Sequence, residues 1–283
     1  MALAKLTMAA LALASGFESV LAQNCSSVHI IVARASTEPA GTGIIGLVAK
    51  QVQDQVSGVD IVPVVYPATL ENYVNSQTAG VTAMTKMVTD YATNCPNSKI
   101  VLMGYSQGAH VSVDVACGAT EAGFPATQAL PQAVLDKVVA IAVMGDPSFA
   151  PGQSFDVGNA TVGGIFKRAN VATTCAPVAA KMKSFCDSGD KYCDNGQGKD
   201  AVAIHIGYVQ EYGKNATDFV VSQLKKASAT QTSTTIQTSS ATQTSSATQT
   251  PVPVATSAAT GRSRMFSAAA LVSSLMSIML LAL

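Results

Sequence analysis

Residues Lys99 to Val115 read KIVLMGYSQGAHVSVDV. Ile100 to Gly104 is short, apolar and partly β-branched, the composition of a buried strand. Gly104-Tyr105-Ser106-Gln107-Gly108 follows, and then Val111 and Val115 recur at helical spacing. The pattern predicts a strand, a sharp turn and a helix, with a serine at the apex. A serine hydroxyl is a weak nucleophile until a base takes its proton, and an apical position exposes it to one. Side chains two residues either side of the apex would strike the neighbouring strand and helix, so glycine at 104 and 108 fits the turn. The N–H of Gln107, at the helix start, then faces a reacting carbonyl as an oxyanion donor. The plainer alternative is a glycine-flanked turn with a surface serine.

Both ends of the 283-residue chain read as addresses rather than fold. Residues 1–22 carry one early lysine, an apolar run from Leu6 to Leu13 and a small-residue site at Val20-Leu21-Ala22, the layout of a secretory signal peptide. Ser228 to Thr250 repeats Ser-Ala-Thr-Gln-Thr with almost no large apolar side chains, and Pro251 and Pro253 follow, which predicts a disordered, O-glycosylated stalk over residues 227–260. Residues 261–283 end in an uncharged apolar run behind small residues and a short polar spacer, as in a GPI-attachment signal. A transmembrane helix is the alternative, since the tail approaches the ~20 residues that span a bilayer. The folded part is then one domain over 23–226. Seventeen basic and seventeen acidic residues balance, so nothing points to nucleic acid.

Six cysteines follow the signal segment: Cys25, Cys95, Cys117, Cys175, Cys186 and Cys193. In a secreted chain they predict three disulfides, for which sequence allows about fifteen pairings. With no C-x-x-C, a zinc site is not expected. Asn24, Asn159 and Asn215 each open an N-x-S/T acceptor motif for glycosylation.

Strands are predicted at Val28–Ala33, Val59–Tyr66, Ile100–Gly104, Val138–Met144 and, briefly, Met182–Phe185. Helical spacing marks Ile45–Val56, the Val81, Met84, Val88, Tyr91 face and Asp218–Lys226. Pro63 suits a sheet position whose N–H is not needed. Alternating strands and helices predict a mostly parallel sheet covered on both faces. Such sheets gather their sites at the carboxyl ends of the strands.

A nucleophilic serine in this setting is followed along the chain by an acid and then a histidine. Of three histidines, His29 precedes Ser106, and His110 sits one turn into the following helix. His205 is late, in an expected loop before the closing helix, and is the candidate base. The acid lies between them. Asp146 ends a strand, and Asp190 sits in a loop bracketed by Cys186 and Cys193. Residues alone leave these two level, since the acid's task is to hold the imidazole rigidly.

Four motifs and the histidine segment resemble the secreted cutinase and acetylxylan esterase family over about Val28 to Gly213. They are Ala33-Arg34-Ala35-Ser36-Thr37-Glu38-Pro39, the Ser106 pentapeptide, Met144-Gly145-Asp146-Pro147, the Cys186–Cys193 loop, and His205 with the Gly207-Tyr208 and Glu211-Tyr212-Gly213 segments behind it. The resemblance implies a small α/β-hydrolase: a three-layer sandwich with a central, mostly parallel five-stranded sheet. It implies Asp190 as the acid, Asp146 as structural, and Ser36 beside Gln107 in the oxyanion hole. Ala35 departs from the glycine common in the family. The implied disulfides are Cys25–Cys95, Cys186–Cys193 and Cys117–Cys175, the last being a feature of the acetylxylan esterase branch.

The expected function is a secreted or cell-surface serine esterase, monomeric, without metal or cofactor, tied to membrane only by a lipid anchor. Its substrate would be a cutin-like polyester or short-chain acyl ester; the alternative is acetylated xylan. A different class, a catalytically silent adhesion module, also suits the stalk and tail.

Overall fold

The computed structural model describes residues 25–239, with side chains to 229. The readings made for 1–22, for Asn24 and for the chain beyond 239 lie outside the described residues. Among those described, no helix is long and apolar enough to cross a membrane.

The strands are β1 Val28–Ala33, β2 Val59–Pro63, β3 Lys99–Tyr105, β4 Val138–Met144, β5 Asp156–Val157 and β6 Met182–Phe185. They form one parallel sheet in the order β2-β1-β3-β4-β6-β5. The expected sheet of five strands gains a sixth, β5. Two residues pairing with Ser184 and Phe185 are too few to leave a periodic signal in the sequence. The second strand stops at Pro63 rather than Tyr66. It is the edge strand, where a missing N–H costs no ladder bond.

The helices are α1 Gly46–Gln53, α2 Tyr73–Asn94, α3 Gln107–Cys117, α4 Gln132–Leu135, α5 Val171–Thr174, α6 Ala201–Ile206 and α7 Tyr208–Ser239. Period-2 alternation on the central strand sorts the core into two layers. Ile100 and Leu102 of β3 join Val81, Met84, Val88, Val111 and Val115 from α2 and α3 on one face. Val101 and Met103 join Val48 and Val52 of α1 with Val220 and Leu224 of α7 on the other. Side chains of this kind each contribute about 1.5–3 kcal/mol on full burial, which fixes strand register firmly.

α7 extends beyond both ends of the Asp218–Lys226 segment that apolar spacing marks. It also continues into the repeat assigned to the stalk. A helix nucleated on a buried face propagates through residues of modest propensity, because each added residue brings its own backbone bond. Three disulfides close the domain: Cys25–Cys95, Cys117–Cys175 and Cys186–Cys193.

Candidate active site

Because every strand runs the same way, the residues after β1, β3, β4 and β6 meet along one edge. Ser106 lies between β3 and α3 at φ 53°, ψ −117°, a conformation L residues rarely hold. Its N–H donates to Met144 O at 2.8 Å, tying the apex to β4. A Cβ at 104 would stand 2.2 Å from Gly108 O, and one at 108 would stand 2.1 Å from Ala33 O. The two glycines thus let β1, β3 and α3 approach closely enough to hold that turn.

His205 is in the last turn of α6, not in a loop. The Ala201–Ile206 run is too short for a periodic signal, and Asp200 precedes it. Ser106 Oγ lies 2.9 Å from His205 Nε2, and His205 Nδ1 lies 2.8 Å from Asp190 Oδ2. A carboxylate only accepts, so Nδ1 carries the proton and Nε2 receives the serine hydroxyl. The ring is clamped edge-on by Tyr192, with Tyr105 farther off, and the Tyr105 hydroxyl donates to the His205 carbonyl.

Asp190 is fully buried in the loop closed by Cys186–Cys193, and its Oδ1 accepts the N–H groups of Tyr192 and Cys193 at 2.6 and 2.8 Å. Burial pushes its carboxyl up. The hydrogen bond and attraction from His205, with those two N–H groups, outweigh it and hold the carboxyl below its usual range. Asp194 braces the same loop. Its Oδ1 accepts the N–H groups of Thr161, Val162 and Gly163, and its Oδ2 accepts that of Gly189.

Asp146 accepts from the N–H and hydroxyl of Ser148, both at 2.8 Å, and closes its own turn. The Gly145 before it, at φ +63°, is where a Cβ would fall 2.7 Å from His205 Cε1. The Gly-Asp-Pro motif therefore makes room for the imidazole rather than supplying its acid. His29 stacks on Tyr91 and bonds Asp60, at the opposite ends of the strands.

His110 is buried against Glu121 at 2.6 Å. With Asp114 the two form the one His/carboxylate group among the described residues compact enough to ligate an ion. Arg168 already donates to Asp114 and lies 3.3 Å from Glu121, so a cation there would meet a guanidinium.

On the oxyanion side, Gln107 is fully buried. Its side chain accepts from Ser76 Oγ and donates to Thr69 O. As the first helical residue, it has an N–H with no intrahelical acceptor. Ser36 Oγ is buried and has no hydrogen-bond partner among the described residues. The loop that bears it is held by groups the sequence reading passed over. Glu38 accepts from Ala35 N at 2.6 Å and Ile44 N at 2.8 Å, and Arg34 donates to the carbonyls of Glu38, Tyr66 and Pro67. Every one of these partners is a backbone group, so no pairing of side chains in the sequence announces the role.

The sequence profile of the cutinase family matches residues 24–224. The chain belongs to the cutinase family. It is 35% identical over 212 residues to acetylxylan esterase 2 of Talaromyces purpureogenus, covering 71% of this chain and 88% of that one. It is 32% identical over 238 residues to cutinase 11 of Verticillium dahliae, covering 81% and 79%. The solved catalytic core domain of acetyl xylan esterase from Trichoderma reesei superposes with a TM-score of 0.65 at 32% identity, covering 70% of this chain and 99% of that one. This cutinase-family chain is a carboxylic ester hydrolase of α/β-hydrolase fold.

Proposed function

We propose that the chain is a serine esterase working through Ser106, His205 and Asp190. The observation that carries this is the hydrogen-bonded run from Ser106 Oγ to His205 to Asp190, at 2.9 and 2.8 Å. In this reading His205 Nε2 takes the Ser106 proton as the oxygen attacks the ester carbonyl. The Gln107 N–H and the Ser36 group meet the oxyanion. The protonated imidazole then delivers its proton to the departing alcohol, leaving an acyl-enzyme. Water, deprotonated by the same nitrogen, releases the acid and restores the hydroxyl. Asp190 stays ionised and steadies the imidazolium.

Short-chain acyl esters or cutin-like polyesters are the proposed substrates. A second reading, removal of acetyl groups from xylan, is favoured by the Cys117–Cys175 disulfide and by the relatives named acetylxylan esterase. Rates on p-nitrophenyl acetate, butyrate and palmitate beside acetylated xylan separate the two. Release of acetate from xylan at a rate matching p-nitrophenyl acetate selects the second reading; its absence, with butyrate turned over, selects the first.

The chain is further proposed to act outside the cell as a monomer. Residues 1–22 would direct secretion, and Asn24, Asn159 and Asn215 would carry glycans. Residues 227–260 would form a stalk, and 261–283 would be exchanged for a lipid anchor. Three disulfides favour an oxidising compartment. Mass of the mature C-terminus tests the anchor, and a peptide reaching Leu283 would reject it.

A further inference from the structure

Beside the His205 helix lies an open cleft of about 560 Å³. Asn159 and Ser188 stand among its lining residues with Asp187, and Ile204, Glu211 and Tyr212 come from α6 and α7. The Tyr212 hydroxyl donates to Asp187 Oδ1 at 2.9 Å, joining the acid loop to α7. The lining mixes an aromatic ring and an aliphatic side chain with carboxylates and a hydroxyl. That suits a sugar ring, which offers apolar C–H faces and a rim of hydroxyls. The volume falls within the ~300–1,000 Å³ of small-ligand sites.

Asn159 is exposed and heads the motif Asn159-Ala160-Thr161. Its side chain is tied to the acid loop: the Ser188 N–H donates to Asn159 Oδ1 at 2.7 Å, and the Asn159 backbone N–H donates to Asp187 Oδ1 at 3.3 Å. Asn159 lines the cleft with its amide oxygen held in this way. No group among the described residues bonds its amide nitrogen. Ala160 N–H donates to Cys186 O, and a Cβ on Gly158 would lie 2.2 Å from that same carbonyl, so the whole corner is seated on the acid loop.

We propose that this cleft seats the first N-acetylhexosamine of a glycan carried by Asn159. The inference rests on the proposed secretory route. In the transfer, a bond forms between Nδ2 and the sugar's anomeric carbon. The bond from that carbon to a lipid-linked diphosphate donor breaks, and the amide gives up one proton. The tethered sugar reaches the cleft at high effective concentration. It then bridges the segment leading to Asp190 and the helices that carry and follow His205, bracing the acid against the base from outside.

The test uses the chain secreted from a glycosylating host. Peptide mass is expected to show a glycan at Asn159. Trimming to a single N-acetylglucosamine should leave the melting temperature unchanged. Thr161→Ala removes the acceptor motif while leaving Asn159 in place, and should lower Tm by about 2–4 °C, the scale of one modest contact in a domain this size. Amide exchange should quicken over residues 186–189 and 204–212. Thr161→Ser, which keeps the motif, should restore both. In protein from a non-glycosylating host, Thr161→Ala should have no effect.

In a Tyr212→Ala background the Thr161→Ala shift should vanish. An unoccupied Asn159 beside an occupied Asn215 overturns the proposal. So does equal stability with and without the sugar, or a shift that persists without Tyr212. Protection of the same amides by xylo-oligosaccharides in the fully glycosylated protein would assign the cleft to substrate instead, and overturn it as well. Occupancy at neither site in the secreted chain overturns it too, whereas a chain that never leaves the cell would fail the secretory route itself. Fluorophosphonate labelling of Ser106, unaffected by Thr161→Ala, reports on the esterase reading separately.

Discussion

Replacing Glu38 by glutamine tests how the oxyanion side of the site is held. The carboxylate is buried and accepts two backbone N–H groups, Ala35 at 2.6 Å and Ile44 at 2.8 Å, across the loop that carries Ser36. A glutamine amide keeps one acceptor oxygen and turns an NH2 towards the other N–H. One charge-assisted hydrogen bond is lost and two donors are left facing each other, a cost of about 2 kcal/mol. For a domain of this size that lowers Tm by roughly 4–8 °C.

Activity should fall further than stability implies. Ala35 adjoins Ser36, and an oxyanion donor removed outright costs about 10²–10³ in kcat, so a displaced one should cost about 10–10². Substrate binding does not draw on the oxyanion donors until charge develops, so KM should change little. The assay is steady-state hydrolysis of p-nitrophenyl butyrate beside thermal melts. Val220→Ala, in the core layer on α7, serves as a control with a comparable loss of stability. The reasoning is refuted if Glu38→Gln melts early yet keeps the wild-type kcat, or if Val220→Ala loses as much kcat.

Gly108→Ala forces a methyl to 2.1 Å from a β1 carbonyl; it should unfold the turn or abolish activity, seen by circular dichroism and turnover. Removing Cys186–Cys193 as a double alanine variant opens a short loop, sequence separation 7, and should cost about 2 kcal/mol in urea melts. Its loss of kcat should exceed that of the Cys25–Cys95 double variant, whose disulfide is remote from Asp190. Asp156 is pushed up to about 6 by burial, and its Oδ1 has no partner among the described residues. A raised carboxyl means the folded state holds its proton longer than the unfolded chain, so stability falls as pH rises from about 4 through 6. Asp156→Asn should therefore stabilise by about 1 kcal/mol at pH 7, discounted for partial exposure, and by nothing near pH 3; melts at both values check it.

Local signals carried much of this to the sequence reader. The Ser106 turn was legible because its glycines answer a backbone collision that any such turn must avoid. The two-faced sheet was legible because β1, β3 and β4 are near-continuous apolar runs. Asp190 was not separable from Asp146 on residues alone. Both end or follow strands, and only tertiary placement puts one against the imidazole and the other against Ser148. Glu38 and Arg34 escaped notice because their partners are backbone groups of their own loop and of residues beyond β2, which carry no side-chain signature. The α6 helix and the β5 strand are shorter than the windows in which periodicity can be seen.

The most direct measurement is covalent labelling by a fluorophosphonate followed by peptide mass analysis. The account predicts one adduct per chain, on the peptide containing Ser106. Labelling should be absent in a folded Ser106→Ala variant and strongly slowed in His205→Ala. A folded wild-type chain that takes no label, or a Ser106→Ala chain that labels at the wild-type rate, would contradict it.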